Sequence, residues 1–223
     1  MIRVDQLSLR VGSFALSGVT FEVPDGGYAV LMGATGSGKT CLVEAICGLR
    51  PILDGRIEVG NRRVERLDPA DRGIGYVPQD GALFPAMTVR EQVELPLRVR
   101  KVQRAEVRAR AGQVAEMLGI EAIMSRTPRG LSGGERQRVA LARAMVFQPG
   151  VICLDEPFSA LDEPTRLGMY DMIESLRRRT GLTALHVTHS SDEAQRLGDI
   201  VLRLEHGHVN SRPKISPNDT SLT

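Results

Sequence analysis

The run Gly33-Ala34-Thr35-Gly36-Ser37-Gly38-Lys39-Thr40 constrains the fold of this chain more than any other stretch. Glycines let a backbone bend closely around a phosphate, so that consecutive N–H groups can point inward at the anion. The pattern needs a strand before it and a helix after it. Tyr28 to Met32 is a short apolar run, and Leu42, Val43 and Ile46 form an apolar stripe that Gly48 and Pro51 stop. The helix, expected from about Gly38 to Cys47, adds the positive end of its dipole to the site. Lys39 is placed to reach the β- and γ-phosphates of a nucleotide, and the Thr40 hydroxyl to ligate Mg²⁺. Average composition gives the four fixed positions by chance in about one chain per hundred of this size.

The remaining elements fit an α/β chain. Val151 to Leu154 is fully apolar, as in a parallel strand buried on both faces. Ile74 to Val77 and Ala184 to Val187 read as further strands, and strands alternating with helices imply a mostly parallel sheet with helices on both sides. The first 30 residues look different. Ile2, Val4, Leu7 and Leu9 nearly alternate, as do Phe14, Leu16, Val19 and Phe21, each set with one slip, which predicts an N-terminal antiparallel β subdomain. Ile57 to Val59 reads as a small strand, Asp192 to Arg196 as a last helix, and Ile200 to Leu204 with His208 to Val209 as a hairpin-like pair. From about Glu91 to Met124 the chain turns helical, and Ser132 with Glu135 matches a capping box that opens another helix. Residues of about 82–148 are therefore expected as a helical insertion into one domain of 1–210, followed by a disordered polar tail, 211–223.

Composition narrows the class. Hydrophobic residues make up 42% and charged residues 25%, and the net charge of +2 is too weak to imply nucleic acid. No run approaches the roughly 18 apolar residues of a membrane span, and charges at Arg3 and Asp5 leave no signal-peptide core. A cytosolic chain is expected. Cys41 and Cys47 on one helix lie about 9 Å apart by helix rise, too far for a disulfide, and Cys153 sits in an apolar strand. The basic stretch Arg98, Arg100, Lys101, Arg104, Arg108 and Arg110 reads as a solvated helix face, with lipid or nucleic-acid contact as the alternative.

Asp155 and Glu156 end the apolar strand at the sheet edge, where open α/β folds bind ligands. Asp155 is the candidate Mg²⁺ holder and Glu156 the candidate general base for an attacking water. Gln79, just past Val77, could touch Mg²⁺ or that water, although alone it is an ordinary loop residue. His189 ends another apolar strand and could bond a γ-phosphate. His186 and His189 are three apart on a strand and point to opposite faces, which argues against a shared metal.

Leu131-Ser132-Gly133-Gly134-Glu135 offers a second set of backbone N–H groups at a helix start. Spacing alone leaves open whether the two phosphate cradles meet within one molecule or between two. Leu131 to Gln137 (LSGGERQ) resembles the signature motif of the ABC ATPase family. The resemblance continues, in the family's order, through the phosphate loop, Gln79, Asp155-Glu156, Ser159-Ala160-Leu161-Asp162 and His189, and covers about 1–210.

The resemblance implies a P-loop NTPase core that hydrolyses ATP with Mg²⁺ bound at Thr40, Gln79 and Asp155. It also implies a head-to-tail homodimer in which Ser132, Gly133 and Gly134 of one copy contact nucleotide held by the other, with Asp162 linking the two sites. The segment Arg72 to Pro85 and His186-Val187-Thr188-His189 are similar to subunits of molybdate, tungstate or sulfate importers. The implied task is powering solute import, of an oxyanion such as molybdate, from the cytoplasmic face of the membrane. A transmembrane permease and an extracytoplasmic binding protein would be partners. Export, lipoprotein release, or a soluble ATPase unlinked to transport are the alternatives. Family members often stack an aromatic on adenine near position 11 or 12; Val11 and Gly12 stand there, leaving Phe14 as a substitute. Leu83, Phe84 and Pro85 suit docking of the permease or, equally, simple packing beneath the insertion.

Overall fold

The two slips in the N-terminal alternation come from two irregularities in strand pairing, one in each strand. In the computed structural model, which describes residues 1–205 and 207–213, β1 (Ile2–Val11) and β2 (Phe14–Val23) pair antiparallel with register shifts on either side of Leu7. Gln6 turns to φ 50° and Gly18 to φ 65°. Hydroxyls replace the lost ladder bonds: Gln6 N donates to Thr20 Oγ1 (2.9 Å) and Gly18 N to Ser8 Oγ (3.1 Å). The extra residue returns Leu7 and Leu9 to the buried face that Ile2 and Val4 occupy. β4 (Asp54–Val59) pairs with the other edge of β1, and β5 (Arg62–Arg63) completes the order β2-β1-β4-β5.

The second sheet has the order β10-β9-β3-β8-β7-β6. Its members are β3 (Tyr28–Met32), β6 (Ile74–Val77), β7 (Val151–Asp155), β8 (Thr183–Val187), β9 (Ile200–Glu205) and β10 (His208–Pro213). All its pairings are parallel except β9 with β10. Every residue of β7 and of β8 is buried, the polar Asp155, Thr183 and His186 along with the apolar majority. Because β10 continues to Pro213, the expected tail begins too early at 211; the rest of it, 214–223, lies outside the described residues.

α1 (Lys39–Cys47) is held between the two sheets. Its Leu42, Val43 and Ile46 share one core with Ile2 and Val4 of the antiparallel sheet and with Leu31 and Val187 of the parallel one. Arg72 closes the far end of α1, donating to Ala45 O and Ile46 O at 2.9 Å each. A cation at a helix C-terminus satisfies orphan carbonyls and complements the dipole, worth up to about 2 kcal/mol in partly buried settings.

The opposite face carries the second core and the insertion. α2 (Val89–Val99), α3 (Arg104–Leu118) and α4 (Gly133–Met145) form the insertion. The helical stretch expected from Glu91 to Met124 is broken at Arg100–Gln103, where Lys101 adopts φ 56°. Much of the basic stretch is engaged locally. Arg98 pairs with Glu94, Arg110 with Glu106, and Arg100 lies 4.0 Å over the Phe147 ring. α5 (Glu163–Thr180) was not anticipated from the sequence; its buried stripe of Met169, Tyr170, Ile173 and Leu176 is thin within a polar run. α6 (Ser191–Leu197) completes the layer. Cys47 and Cys153 meet inside the first core, where their mutual hydrogen bond and then burial push the Cys47 thiol up.

Candidate functional site

The loop between β3 and α1 is shaped by three glycines at positive φ: Gly33 at 158°, Gly36 at 79° and Gly38 at 95°. A side chain at Gly33 would meet Leu204 O at 2.6 Å, and one at Gly38 would meet the Phe14 ring at 2.3 Å. Among the described residues, Ser37 Oγ, buried beside these backbone groups, has no hydrogen-bond partner. Lys39 is 6% exposed, and its ammonium donates to Gly33 O (2.9 Å) and Ala34 O (3.0 Å), which holds it over the loop. A cradle of N–H groups with an unpaired hydroxyl and an inward lysine suits a phosphate chain.

β7 delivers Asp155 beside this loop, and Thr40 Oγ1 donates to Asp155 Oδ1 at 3.2 Å. Burial raises the Asp155 pKa above its ordinary value, against the lowering effect of that bond. A carboxylate that is costly to ionise, next to a hydroxyl, is the setting a hard cation relieves. Among the described residues no three His, Cys, Asp or Glu side chains converge as a metal cage. Thr40 and Asp155 present oxygen donors side by side at the phosphate loop, the ligand type that Mg²⁺ takes alongside phosphate oxygens.

Glu156 follows in a strained conformation, φ 44°, with its N–H fixed to Val187 O at 2.9 Å. Such left-handed non-glycine residues persist only where the surroundings hold them. Two other predicted residues converge on Glu156 Oε2: Gln79 Nε2 at 3.4 Å and His189 Nδ1 at 3.6 Å. They come from the ends of β6, β7 and β8, so register alone gathers them at one sheet edge.

His186 goes elsewhere. It is fully buried, with Nδ1 3.0 Å from the Tyr28 hydroxyl and Nε2 3.2 Å from Glu193 Oε2. Burial alone would raise the Glu193 pKa, but the neighbouring His186, with Thr188 and Tyr170, outweighs it and holds the carboxyl below its usual range. This network anchors the turn bearing His189, because Ser190 caps α6 at Glu193 and Ser190 N donates to Thr188 Oγ1. Sequence reasoning missed Glu193. The spacing Ser190-x-x-Glu193 was the available signal.

Ser132 and Glu135 form the predicted capping box, with Glu135 N to Ser132 Oγ at 3.1 Å and Ser132 N to Glu135 Oε2 at 2.7 Å. Ser132 and Gly133 are exposed. A Cβ on Gly134 would meet Thr165 Cγ2 at 2.5 Å, so the turn rests on the start of α5, which Asp162 caps through Thr165 N. Among the described residues, no hydrogen bond or ion pair joins this turn to the phosphate loop of the same chain. Of the three apolar loop residues, Leu83 packs inward while Phe84 and Pro85 are exposed.

The ABC transporter family model matches residues 16–159, more than half of the chain. The chain is 42% identical over 201 residues to the molybdate/tungstate import ATP-binding protein WtpC of Pyrococcus horikoshii, covering 90% of this chain and 58% of that protein. It is 44% identical over 198 residues to the sn-glycerol-3-phosphate import ATP-binding protein UgpC of Rhodopseudomonas palustris, covering 89% and 54%. The chain thus spans under two thirds of the length of these curated relatives. A solved dimeric structure of the ATP-binding cassette MJ0796, in a post-hydrolysis state bound to ADP and Pi, superposes with a TM-score of 0.84 at 30% identity, covering 97% of this chain and 100% of that one. With the family model, this cassette and the site geometry in agreement, the chain belongs to the ABC transporter family.

Proposed function

We propose that the chain binds and hydrolyses ATP as the engine of an ABC importer. The observation that carries this reading is the meeting of Gln79 and His189 on one carboxylate oxygen of Glu156, next to the phosphate loop. Gly33, Ala34, Thr35, Gly36, Ser37 and Gly38 cradle the phosphates, and Lys39 turns from the loop carbonyls toward them. Thr40, Asp155 and Gln79 would hold Mg²⁺, which would supply charge neutralisation at the phosphate oxygens when bound. Glu156 accepts a proton from the attacking water, and Gln79 and His189 orient the water and the γ-phosphate.

Two copies close head to tail, so that the Ser132-Gly133-Gly134 turn of one faces the phosphates held by the other, with Asp162 at the seam. The exposure of Ser132 and Gly133, with no hydrogen bond from the turn to its own phosphate loop among the described residues, favours this arrangement. The import relatives favour import over export. One relative is named for an oxyanion and the other for a phosphate ester, and the cargo class is molybdate or a similar oxyanion. A permease docks near Phe84 and Pro85, an extracytoplasmic binding protein supplies the cargo, and the chain sits at the inner membrane face. No helix of the described residues is long and apolar enough to cross a membrane itself.

The test is Glu156→Gln. The variant is expected to bind ATP, to dimerise with it by light scattering, and to lose about 10²–10⁴-fold in phosphate release. Brisk turnover would remove Glu156 from its role, and a monomer with bound ATP would remove the shared site.

A further inference from the structure

The capping box at Ser132 satisfies only part of its helix end. It engages the Ser132 N–H with Glu135 Oε2 (2.7 Å) and the Glu135 N–H with Ser132 Oγ (3.1 Å). Gly133 and Gly134 are the first two residues of α4, and N–H groups at those positions have no intrahelical acceptor. They are the part of the turn that an anion can use. The carboxylate that closes the box stands at the same helix end. The bond from Ser132 N holds the Glu135 carboxyl below the usual carboxylate range, with burial opposing it and Arg126 assisting. An ionised Glu135 is thus a fixed negative charge within one helical turn of any phosphate bound there, and like charges repel.

Arg126 stands against that charge. Its Nη1 lies 3.7 Å from Glu135 Oε1, the carboxylate oxygen that the box does not use, and its Nη2 donates to Gly130 O at 2.8 Å. One guanidinium therefore serves both the carboxylate and the backbone just ahead of the turn, where Gly130 takes the left-handed φ of 80° that glycine tolerates. Arg136 Nε takes the next carbonyl, Leu131 O, at 3.2 Å. The Arg126–Glu135 pair is solvated, with the two side chains 44% and 24% exposed, and a pair of that kind contributes little to the stability of the chain itself. A second copy closing over the turn removes the water, and an uncompensated carboxylate facing a polyphosphate then becomes far more costly.

We propose that Arg126 is a positioning residue for the partner-held nucleotide: it cancels the charge of Glu135 and ties down Gly130, so that the Ser132–Gly134 turn can receive the polyphosphate. This rests on the reading of that turn as the contact with nucleotide bound by the other copy. Arg126 acts through Glu135 and the backbone, with no contact of its own to the phosphates.

The test measures ATP-dependent dimerisation of the full chain in the Glu156→Gln background, by light scattering across protein concentration. Adding Arg126→Ala should weaken the dimer roughly tenfold at about 0.05 M salt, and the deficit should shrink to about twofold near 1 M, where exposed charges are screened within about 3 Å. Adding Glu135→Gln as well should restore dimerisation to within about threefold, because glutamine also closes a capping box and carries no charge. ATP affinity of the dilute monomer, read by calorimetry, should stay within about twofold throughout, since the phosphate loop of the same chain is untouched. If Arg126→Ala does not fold, Arg126→Gln, which keeps a donor for Gly130 O, takes its place under the same expectation. Unchanged dimerisation in the Arg126 variants overturns the proposal. So does a loss that persists at high salt and is not rescued by Glu135→Gln, which would mark a purely structural role or a direct phosphate contact. Failure of the Glu156→Gln parent to dimerise would instead sink the shared-nucleotide reading, and this inference with it.

Discussion

His189 Nδ1 stands 3.6 Å from Glu156 Oε2, on a turn that the buried His186–Glu193 pair anchors from below. His189 is thus aimed by its neighbours while its own ring stays 67% exposed. Replacing it should leave the fold intact and remove an interaction made in the transition state. His189→Ala is expected to lower kcat about 10²-fold with KM for ATP within twofold. Steady-state ATPase assays decide this; a raised KM at full kcat would make His189 a binding residue only.

Asp155 gives a pH signature. Its pKa is raised in the folded protein by burial, so its ionised form is disfavoured there relative to the unfolded chain. Below the unfolded value of about 3.9 both states are protonated and the penalty vanishes. As pH rises from there through the folded value, the parent protein loses stability that Asp155→Asn keeps. Denaturant midpoints without nucleotide should therefore favour Asp155→Asn near pH 7 and converge with the parent near pH 3.5. A gap that does not change with pH would contradict the burial argument.

Gly134 is predicted to be irreplaceable for a reason inside the molecule. In Gly134→Ala the new methyl would press on Thr165 Cγ2, costing about 1–3 kcal/mol of overpacking. Thr165→Ser removes that methyl and leaves the backbone N–H that Asp162 caps. The double variant should recover most of the loss in chemical denaturation. Strictly additive losses would show that the contact is not the cause.

Phe14 lies against Gly38 at the end of the phosphate loop. If its ring serves the adenine, Phe14→Ala should weaken ATP binding about three- to tenfold, in line with roughly 0.5–1.5 kcal/mol for an aromatic stack. Phe14→Tyr should bind as the parent does. Calorimetric titration that finds equal affinity in Phe14→Ala would leave the base without this partner.

How much of this was readable from sequence depends on the range of the interactions. The phosphate loop and the Ser132–Glu135 box are local, and their residues act on backbone within a few positions. The strand ends Gln79, Glu156 and His189 were legible as candidates, but their meeting needs the register of three strands 74–77, 151–155 and 183–187. α5 was missed because its apolar stripe is four residues among charges, although Asp162 and Gly181 mark its ends. The His186–Glu193–Tyr28 network joins three elements, and of its members only Glu193 carried a local signal, its spacing from Ser190.

The burial of α1 between two sheets, with Arg72 locked onto its tail, has a mechanical result. Helix α1, directly behind the phosphate loop, is thereby the anvil of the molecule. In the proposed function, a stroke driven by hydrolysis would fall to the helical layer on the opposite face of the parallel sheet.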